Sequence, residues 1–277
     1  VHVDGEHFQG ESVQGESVEG EGIQGENWET MGAFMREAYL RYSFTKGSEQ
    51  EVHTLIEVMG LQPGDRVLDV GCGPGRHAAV FVEKGISVVG VDLSEEFIEV
   101  ARQQVTSPLA EFQVADARTL NFANEFDAAV ALCQGAFGSA PPAEEGDQWH
   151  IGADRHVLTN IAAALKPGGA AAVTAFNAYF QVRWLEEHDH FDAQRGLNLE
   201  STELRNPAGQ RMEVGLWTTC FTPRELALLA EVSGLEPEGI YSAEPGRYGT
   251  DPPTVQRPEF LMIARRKEAL AFGHPRP

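Results

Sequence analysis

Cysteine is scarce in this 277-residue chain: Cys72, Cys133 and Cys220 lie far apart and form no CxxC pair. That argues against a disulfide framework and a cysteine-based zinc site, and it predicts a reducing, cytoplasmic setting. Long apolar runs are missing too. No uninterrupted stretch approaches the roughly 18 residues that span a bilayer, and the first thirty residues are acidic where a secretion signal is basic and then apolar. No membrane partner is expected. Positive charge is the third deficit, with 21 Lys and Arg against 42 Asp and Glu and a formal charge of −21. Nucleic-acid binding draws its nonspecific affinity from cations that neutralise phosphates. The balance therefore argues against a DNA or RNA partner and for a small-molecule substrate.

Hydrophobic residues make up 42% of the chain, enough for a substantial core. The first segment does not share in it. Residues 3–27 repeat with a period of five (VDGEH, FQGES, VQGES, VEGEG, IQGEN), each unit holding one apolar residue, a glycine third and an acid fourth. Isolated apolar residues amid Gly and Glu cannot offset chain entropy, so residues 1–27 are expected to form a mobile acidic tail. From Trp28 the pattern turns helical: Met31, Phe34, Met35, Tyr39 and Tyr42 fall at helical spacing, and EVHTLIEVMG adds a second helix closed by Gly60. Residues 28–60 thus read as two helices ahead of the main domain, expected over 61–267, with 268–277 as a polar tail.

Within that domain strands and helices alternate. RVLDV (66–70), SVVGV (87–91), AEFQV (110–114), FDAAVAL (126–132) and GAAAVTAF (169–176) read as strands. Helices are expected over 75–83, 95–104 and 155–165. Continuous rather than alternating apolarity marks the strands of a parallel sheet covered on both faces, so the fold class is α/β. After Phe176 the rhythm changes. TELRNPAGQRMEVGLWTTCF reads as an antiparallel hairpin turning at NPAG, within an insertion at about 178–221. Thr222 and Pro223 then open a helix, and EPEGIYSAE and EFLMIARRK form a closing pair of strands.

The stretch VLDVGCGPGRHA (67–78) sets Gly71, Gly73 and Gly75 at alternate positions between a strand and a helix. Such a turn lets a ligand approach backbone N–H groups, because glycine has no Cβ to hold it off. The dinucleotide fingerprint GxGxxG is absent, since its sixth position is Arg76. A carboxylate at Asp69 repels a pyrophosphate and suits an ammonium. Asp92, ending the second strand about 20 residues on, is placed to accept the two hydroxyls of a ribose. A ribose plus an amino-acid end without phosphate describes S-adenosylmethionine.

On these residues the chain resembles the class I S-adenosylmethionine-dependent methyltransferases, in particular their small-molecule branch. VLDVGCGPGRHA resembles their first motif, VVGVDLS the second, FQVADARTL the third, FDAAVALCQGAF the fourth and LKPGGAAAVTAF the strand-five motif, together covering roughly residues 60–180. The resemblance implies a Rossmann-like doubly wound sheet of about seven strands, mostly parallel with an antiparallel last strand, with N-terminal helices over the cofactor site and an inserted hairpin. It further implies that Asp69, Gly71, Cys72, Gly73 and Gly75 surround the methionine end of the cofactor. Asp92 would take the ribose, Leu93 the adenine face, and Asp116 with Ala117 the adenine edge. Leu132 and Cys133 would lie beneath the sulfonium, and Tyr42, Lys46, Arg76 and His77 are further candidates. Asp116 alternatively caps a helix.

LCQGAFGS after strand four is similar to the PCQGFS of enzymes that methylate C5 of cytosine, which makes Cys133 a candidate nucleophile. The preceding prolines are missing and the chain is acidic, so Cys133 reads equally as a small residue in the pocket wall. Methyl transfer from a sulfonium to N or O needs only an in-line approach, with room for a general base. His150, Gln134 and Tyr179 are the catalytic candidates. Phe137, Trp149, Asn177, Trp184, Trp217 and Arg247 are the expected substrate pocket, with Arg155, His156, Tyr241 and Tyr248 nearby. EEHDHFD (186–192) offers His188 and His190 to a metal, but a solvated acidic loop explains it, and no metal is expected.

Overall fold

The computed structural model describes residues 28–139, 146–185 and 190–267. The pentapeptide repeat, the final ten residues and most of EEHDHFD lie outside the described residues. Five parallel strands form the centre: β1 (Arg66–Val70), β2 (Ser87–Asp92), β3 (Ala110–Val114), β4 (Phe126–Ala131) and β5 (Leu165–Asn177). They lie in the order β3-β2-β1-β4-β5. A later hairpin completes this sheet, with β10 (Glu259–Arg266) antiparallel to β5 and β9 (Leu235–Ala243) outside it. The sheet is therefore a doubly wound, Rossmann-like one of the expected kind, with an antiparallel strand inserted beside β5.

Why the strands lack alternation is visible in their packing. Leu68 and Val70 of β1 join a core with α5 (Gly152–Ala164) and α7 (Pro223–Val232), through Val157, Leu158, Ile161, Leu226 and Leu229. Val67 faces the other way, into a core with α2 (Ser48–Met59), α3 (Arg76–Glu83) and α4 (Glu95–Gln104), through Val52, Leu55, Phe81, Ile98 and Ala101. In the same way Phe260 and Met262 of β10 enter the first core, and Leu261 and Ile263 the second. Both faces are covered, so both sets of side chains must be apolar.

A smaller antiparallel sheet of β6 (His190–Asp192), β7 (Leu197–Arg205) and β8 (Arg211–Phe221) is attached to the end of β5. Its register with β5 consists of Phe176↔Cys220 and Asn177↔Phe221. Because Phe176 also pairs with Glu259, β8 and β10 hold opposite edges of β5 where β4 has already ended. The N-terminal segment packs between this sheet and α4: Met31 and Met35 of α1 (Trp28–Met35) meet Phe97, Leu204 and Val214.

Four boundaries differ from the sequence expectation. The first helix stops at Met35, because Arg36 takes a left-handed φ of 45° and the chain continues as 3-10 turns over Arg36–Arg41 and Ser43–Gly47. That break sets the Tyr39 ring edge-on to Phe97, 5.1 Å between centroids. Helix α5 begins three residues early, at Gly152, where the Asp147 carboxylate accepts its N–H at 2.7 Å. Strand β5 extends back to Leu165, which pairs with Phe126. The short strand β6 carries no apolar pattern of its own and is held by pairing with β7.

Helix α7 shows how local chemistry sets a boundary. Thr222 accepts the Glu225 N–H through its hydroxyl, the Glu225 carboxylate accepts the Thr222 N–H at 2.7 Å, and Pro223 opens the helix. Thr222→Ala is expected to lower the stability of the protein by about 1 kcal/mol, read from the urea midpoint at unchanged slope.

Candidate active site

The glycine turn after β1 is built from two backbone contacts and one open face. A Cβ on Gly71, which has φ +74°, would lie 2.3 Å from the Gly135 carbonyl carbon, so two loops meet here backbone to backbone. Gly73, at φ +52°, has nothing within 4 Å of the corresponding point. The N–H groups expected to face a ligand are used inside the turn. Gly71 and Cys72 donate to the Val91 carbonyl at 2.8 and 3.0 Å, Gly73 to Asp92 Oδ2 at 2.8 Å, and Gly75 to the Cys72 carbonyl at 3.0 Å. The turn thus offers a ligand open backbone rather than an anion nest.

What it does offer is negative charge. Asp69 is only 1% exposed, and its Oδ2 has no hydrogen-bond partner among the described residues. Burial pushes its carboxyl up to about 7; the Arg76 guanidinium lowers it and Asp92 raises it. Buried polar atoms in folded proteins are nearly always bonded, so this orphan marks the place of a donor that the chain itself does not supply. Asp92 is also raised by burial, to about 6, against the N–H groups of Ser94 and Gly73. Each of its oxygens accepts one of these, at 2.9 and 2.8 Å, leaving a second lone pair apiece for a diol.

A second turn, after β4, faces the first. Cys133 and Gln134 both have left-handed φ, 54° and 55°. Such backbone costs free energy and persists where its surroundings impose it. Here the Cys133 N–H donates to Thr174 Oγ1 at 2.7 Å, and the Gly138 N–H to the buried Asp154 at 2.8 Å. Arg76 joins this turn to the N-terminal helices. Its guanidinium donates to Glu51 at 2.6 Å, to Ser48 at 2.8 Å and to Cys133 Sγ at 2.8 Å. Glu51, fully buried, also accepts from His77 Nε2 and the Gly246 N–H, each at 2.7 Å. Burial alone would raise the Glu51 carboxyl, but the His77 hydrogen bond and the Arg76 charge hold it down to about 2. Burial pushes His77 down to about 4, helped by Arg76, so its ring is neutral at pH 7. Burial also pushes the Cys133 thiol up to about 12, although Arg76 opposes this. The Tyr248 hydroxyl lies 3.8 Å from the same sulfur.

The sequence-predicted residues divide accordingly. Asp69, Gly71, Cys72, Gly73, Asp92, Leu132, Cys133, Gln134, Arg76 and His77 come together at the ends of β1, β2 and β4. Leu93 lies partly exposed just past β2, and Gly75 packs on Ala101 and Phe112. Asp116 is occupied instead: it caps the Ala117–Thr119 turn and accepts Arg118 with both oxygens, at 2.9 and 2.6 Å. Ala117 packs its carbonyl against Asn160 Nδ2. Tyr42 points to β7, where its hydroxyl accepts the Arg205 N–H at 3.1 Å, and Lys46 is exposed in a groove beside Gly246. Tyr39 is the N-terminal aromatic that feels the charges of Arg76, Cys133 and Asp92, and burial raises its hydroxyl pKa strongly.

On the substrate side, Phe137 is core, stacked on Phe221 at 5.1 Å. Asn177 is also structural: its Oδ1 caps α6 (Ala178–Arg183), and its Nδ2 donates to the Thr254 and Arg257 carbonyls at 2.7 and 2.9 Å. Trp149, Tyr179 and Trp184 are about half exposed rather than lining a closed pocket. Trp217 meets His190 edge-on, and Arg247 pairs with Glu244 in the open. His150 is buried in the turn before α5 with φ 59°, its N–H on the Asp147 carbonyl. Arg155 and His156 lie on α5, and Tyr241 on β9. Glu51 and Glu259 are buried carboxylates beside these turns that sequence reasoning missed. Among the described residues no helix is long and apolar enough to cross a membrane, and no three metal-binding side chains are grouped to hold an ion.

Comparison with known proteins agrees with this geometry. The profile of the methyltransferase domain family matches residues 67–169, from the start of β1 into β5. The O-methyltransferase rstn1 of Aspergillus nomiae is 30% identical over 53% of this chain and 70% of its own length. The chain belongs to the class I S-adenosylmethionine-dependent methyltransferases. A second member of these methyltransferases, the cypemycin N-terminal methyltransferase of a Streptomyces species, is 28% identical over 74% of this chain and 84% of its own. A solved S-adenosylmethionine-dependent methyltransferase from Methanosarcina mazei is 27% identical, with a TM-score of 0.57, covering 78% of this chain and 98% of that one.

In this methyltransferase the Glu51 contacts fasten the N-terminal helices to both ligand-facing turns. Glu51→Gln is expected to cost roughly 3–5 kcal/mol at pH 7, because it leaves Arg76 buried without its counter-ion. A carboxyl held at about 2, against an ordinary 4.5, stabilises the fold above pH 4.5 and loses that contribution as pH falls toward 2. Urea titrations of wild type and variant should therefore differ widely at pH 7, draw closer below pH 4.5 and converge only as pH falls to about 2.

Proposed function

We propose that this methyltransferase transfers a methyl group to a nitrogen or oxygen atom of a small molecule by direct in-line displacement, without a covalent enzyme intermediate. The carrying observation is the Asp69 carboxylate, buried and unpartnered beside the open face of Gly73. It fits the ammonium of the cofactor's methionine end and would repel a phosphate. Asp92 would hold the ribose hydroxyls with its remaining lone pairs, Leu93 would cover the adenine, and Leu132 and Cys133 would lie under the sulfonium. Asp116 is left out of this set, since Arg118 saturates it. When bound, the cofactor supplies an electrophilic methyl group on a positively charged sulfur.

The residues around the second turn position an acceptor and exclude water. A Cys133 thiol pushed up to about 12 stays protonated at neutral pH, which argues against its serving as the nucleophile of a carbon methylation. The names of the two relatives above, one for an N-terminal methylation and one for an O-methylation, support nitrogen or oxygen as the acceptor. Residues 28–60 would close over the cofactor through Tyr39 and Glu51, and the inserted sheet would border the acceptor.

Two measurements check this. Incubation with methyl-labelled cofactor and pooled small metabolites should give labelled N- or O-methyl products together with S-adenosylhomocysteine; label on carbon, or calorimetry showing no cofactor binding, would overturn the reading. The affinity itself should depend on pH. A carboxyl raised to about 7 is increasingly ionised as pH rises to 7, and only the ionised form attracts the ammonium. Cofactor binding should thus weaken on the order of tenfold from pH 7.5 to 5.5, and Asp69→Asn should weaken it at pH 7.5 while flattening most of that slope.

A further inference from the structure

Glu259, like Asp69, is a buried carboxylate with one oxygen lacking a hydrogen-bond partner among the described residues. Glu259 opens β10, pairing with Phe176 of β5 and Ala243 of β9, at the same edge of the sheet as the turn after β4. It is 2% exposed, and its Oε2 has no hydrogen-bond partner among the described residues. Gln134, 9% exposed, lies beside it with Nε2 equally unpartnered. Gln134 and Glu259 thus adjoin each other where the second turn meets the start of β10, and Cys133 and Tyr248 both feel the Glu259 charge.

The backbone that carries Glu259 is fixed. The Asn177 side chain holds the Thr254 and Arg257 carbonyls, and the Asn177 N–H donates to the Pro258 carbonyl at 2.9 Å. Arg76, whose charge reaches Glu259, is already engaged, bonded to Glu51 at 2.6 Å. A carboxylate buried without a partner costs several kcal/mol and persists where a ligand provides the partner. Asp69 has such a ligand in the ammonium of the cofactor. The same logic applied to Glu259 calls for a second cation, on the acceptor side.

We propose that Glu259, flanked by Gln134, binds the methyl acceptor as an ammonium and takes the proton its nitrogen must lose, so that the substrates of this enzyme are amines. This deepens the nitrogen-or-oxygen reading above and rests on it. An N–H bond breaks with its electron pair kept on nitrogen, and an O–H bond forms on Glu259. The nitrogen pair then bonds the methyl carbon as the carbon–sulfur pair departs with sulfur. The product leaves as a methylammonium, and Glu259 gives its proton to solvent. Gln134 Nε2 steadies the carboxylate, and the left-handed φ at Gln134 is the backbone cost of aiming it there.

The titration of the group agrees. Burial pushes the Glu259 carboxyl up to about 7, opposed by Gln134 and Arg76 and reinforced by the Glu51 charge. The charged and titratable groups facing it are Glu51 from α2, Arg76 from α3, Cys133 after β4 and Tyr248 between β9 and β10. An acid near 7 both receives and releases a proton efficiently at neutral pH.

The test compares the full-length wild type with E259Q, an isosteric change that removes a buried unpaired charge. Calorimetry with S-adenosylhomocysteine should give equal affinities for the two. Difference infrared spectroscopy should show a carboxyl band titrating near pH 7 in wild type and missing from E259Q. With methyl-labelled cofactor, a pool of primary and secondary amines should be labelled and a matched pool of alcohols and phenols should not. E259Q should label the amines on the order of 100-fold more slowly at pH 7, and recover as pH rises toward the pKa of the free amines. The proposal is overturned by label in the alcohol pool alone, by E259Q keeping the wild-type rate and pH profile, or by the absence of an E259-dependent infrared band. If the wild type binds cofactor but labels neither pool, the infrared titration alone decides. Failure of the wild type to bind cofactor would instead bring down the underlying methyltransfer reading, and is seen in the first measurement.

Discussion

The site depends on one ion pair that water does not reach. Glu51 comes from α2, Arg76 and His77 from the first turn of α3, and the Gly246 N–H from the loop between β9 and β10. Three segments distant in sequence are therefore tied at a single carboxylate. Arg76 extends the tie to Cys133 and so to the turn after β4. Taking two charges out of water is costly, and the cost is offset only when every lone pair and N–H is used. Glu51 comes close to that condition, its two oxygens taking three donors. The geometry of the turns after β1 and β4 is thereby referred to one point, and the N-terminal helices are fastened to both.

Against this saturated pair, the unsaturated groups gain meaning. Asp69, Gln134 and Glu259 are orphaned within a structure that otherwise satisfies its polar atoms at great length, as Asn177 and Arg76 show. Three other buried side chains, Asn198, Thr219 and Ser233, also carry an unbonded oxygen, but none of them is a carboxylate. Ionisable orphans at a sheet edge are a sharper pointer to ligand chemistry than exposed aromatics such as Trp149 and Trp184.

Much of the fold was legible in the amino-acid sequence for a simple reason. Strands buried on both faces must be apolar, and RVLDV and SVVGV are so past their first residues except at the buried Asp69. Glycines that bring two backbones together, as Gly71 and Gly135 do, cannot be replaced without a clash, so they stand out. What was not legible depends on contacts between remote segments. Nothing local announces that Glu51 leaves the solvent face of its helix for Arg76, or that Glu259 opens a strand under Gln134. That Arg118, two residues on, claims both Asp116 oxygens was not legible either. Tyr42 turns to β7 while Tyr39 is buried within reach of the Arg76 and Asp92 charges, because the helix breaks at Arg36, a left-handed residue in a run with unbroken helical periodicity.

The inserted sheet meets the main one through two residue pairs, Phe176↔Cys220 and Asn177↔Phe221, while β10 fastens seven residues of the opposite edge. So narrow a seam makes the appendage modular. Its tip, the turn at Asn206–Gly209, is remote from the seam and suits insertion or exchange, whereas length changes at Phe176 would propagate into both neighbours at once. A lineage carrying this design can renew the appended surface while the main sheet is inherited intact.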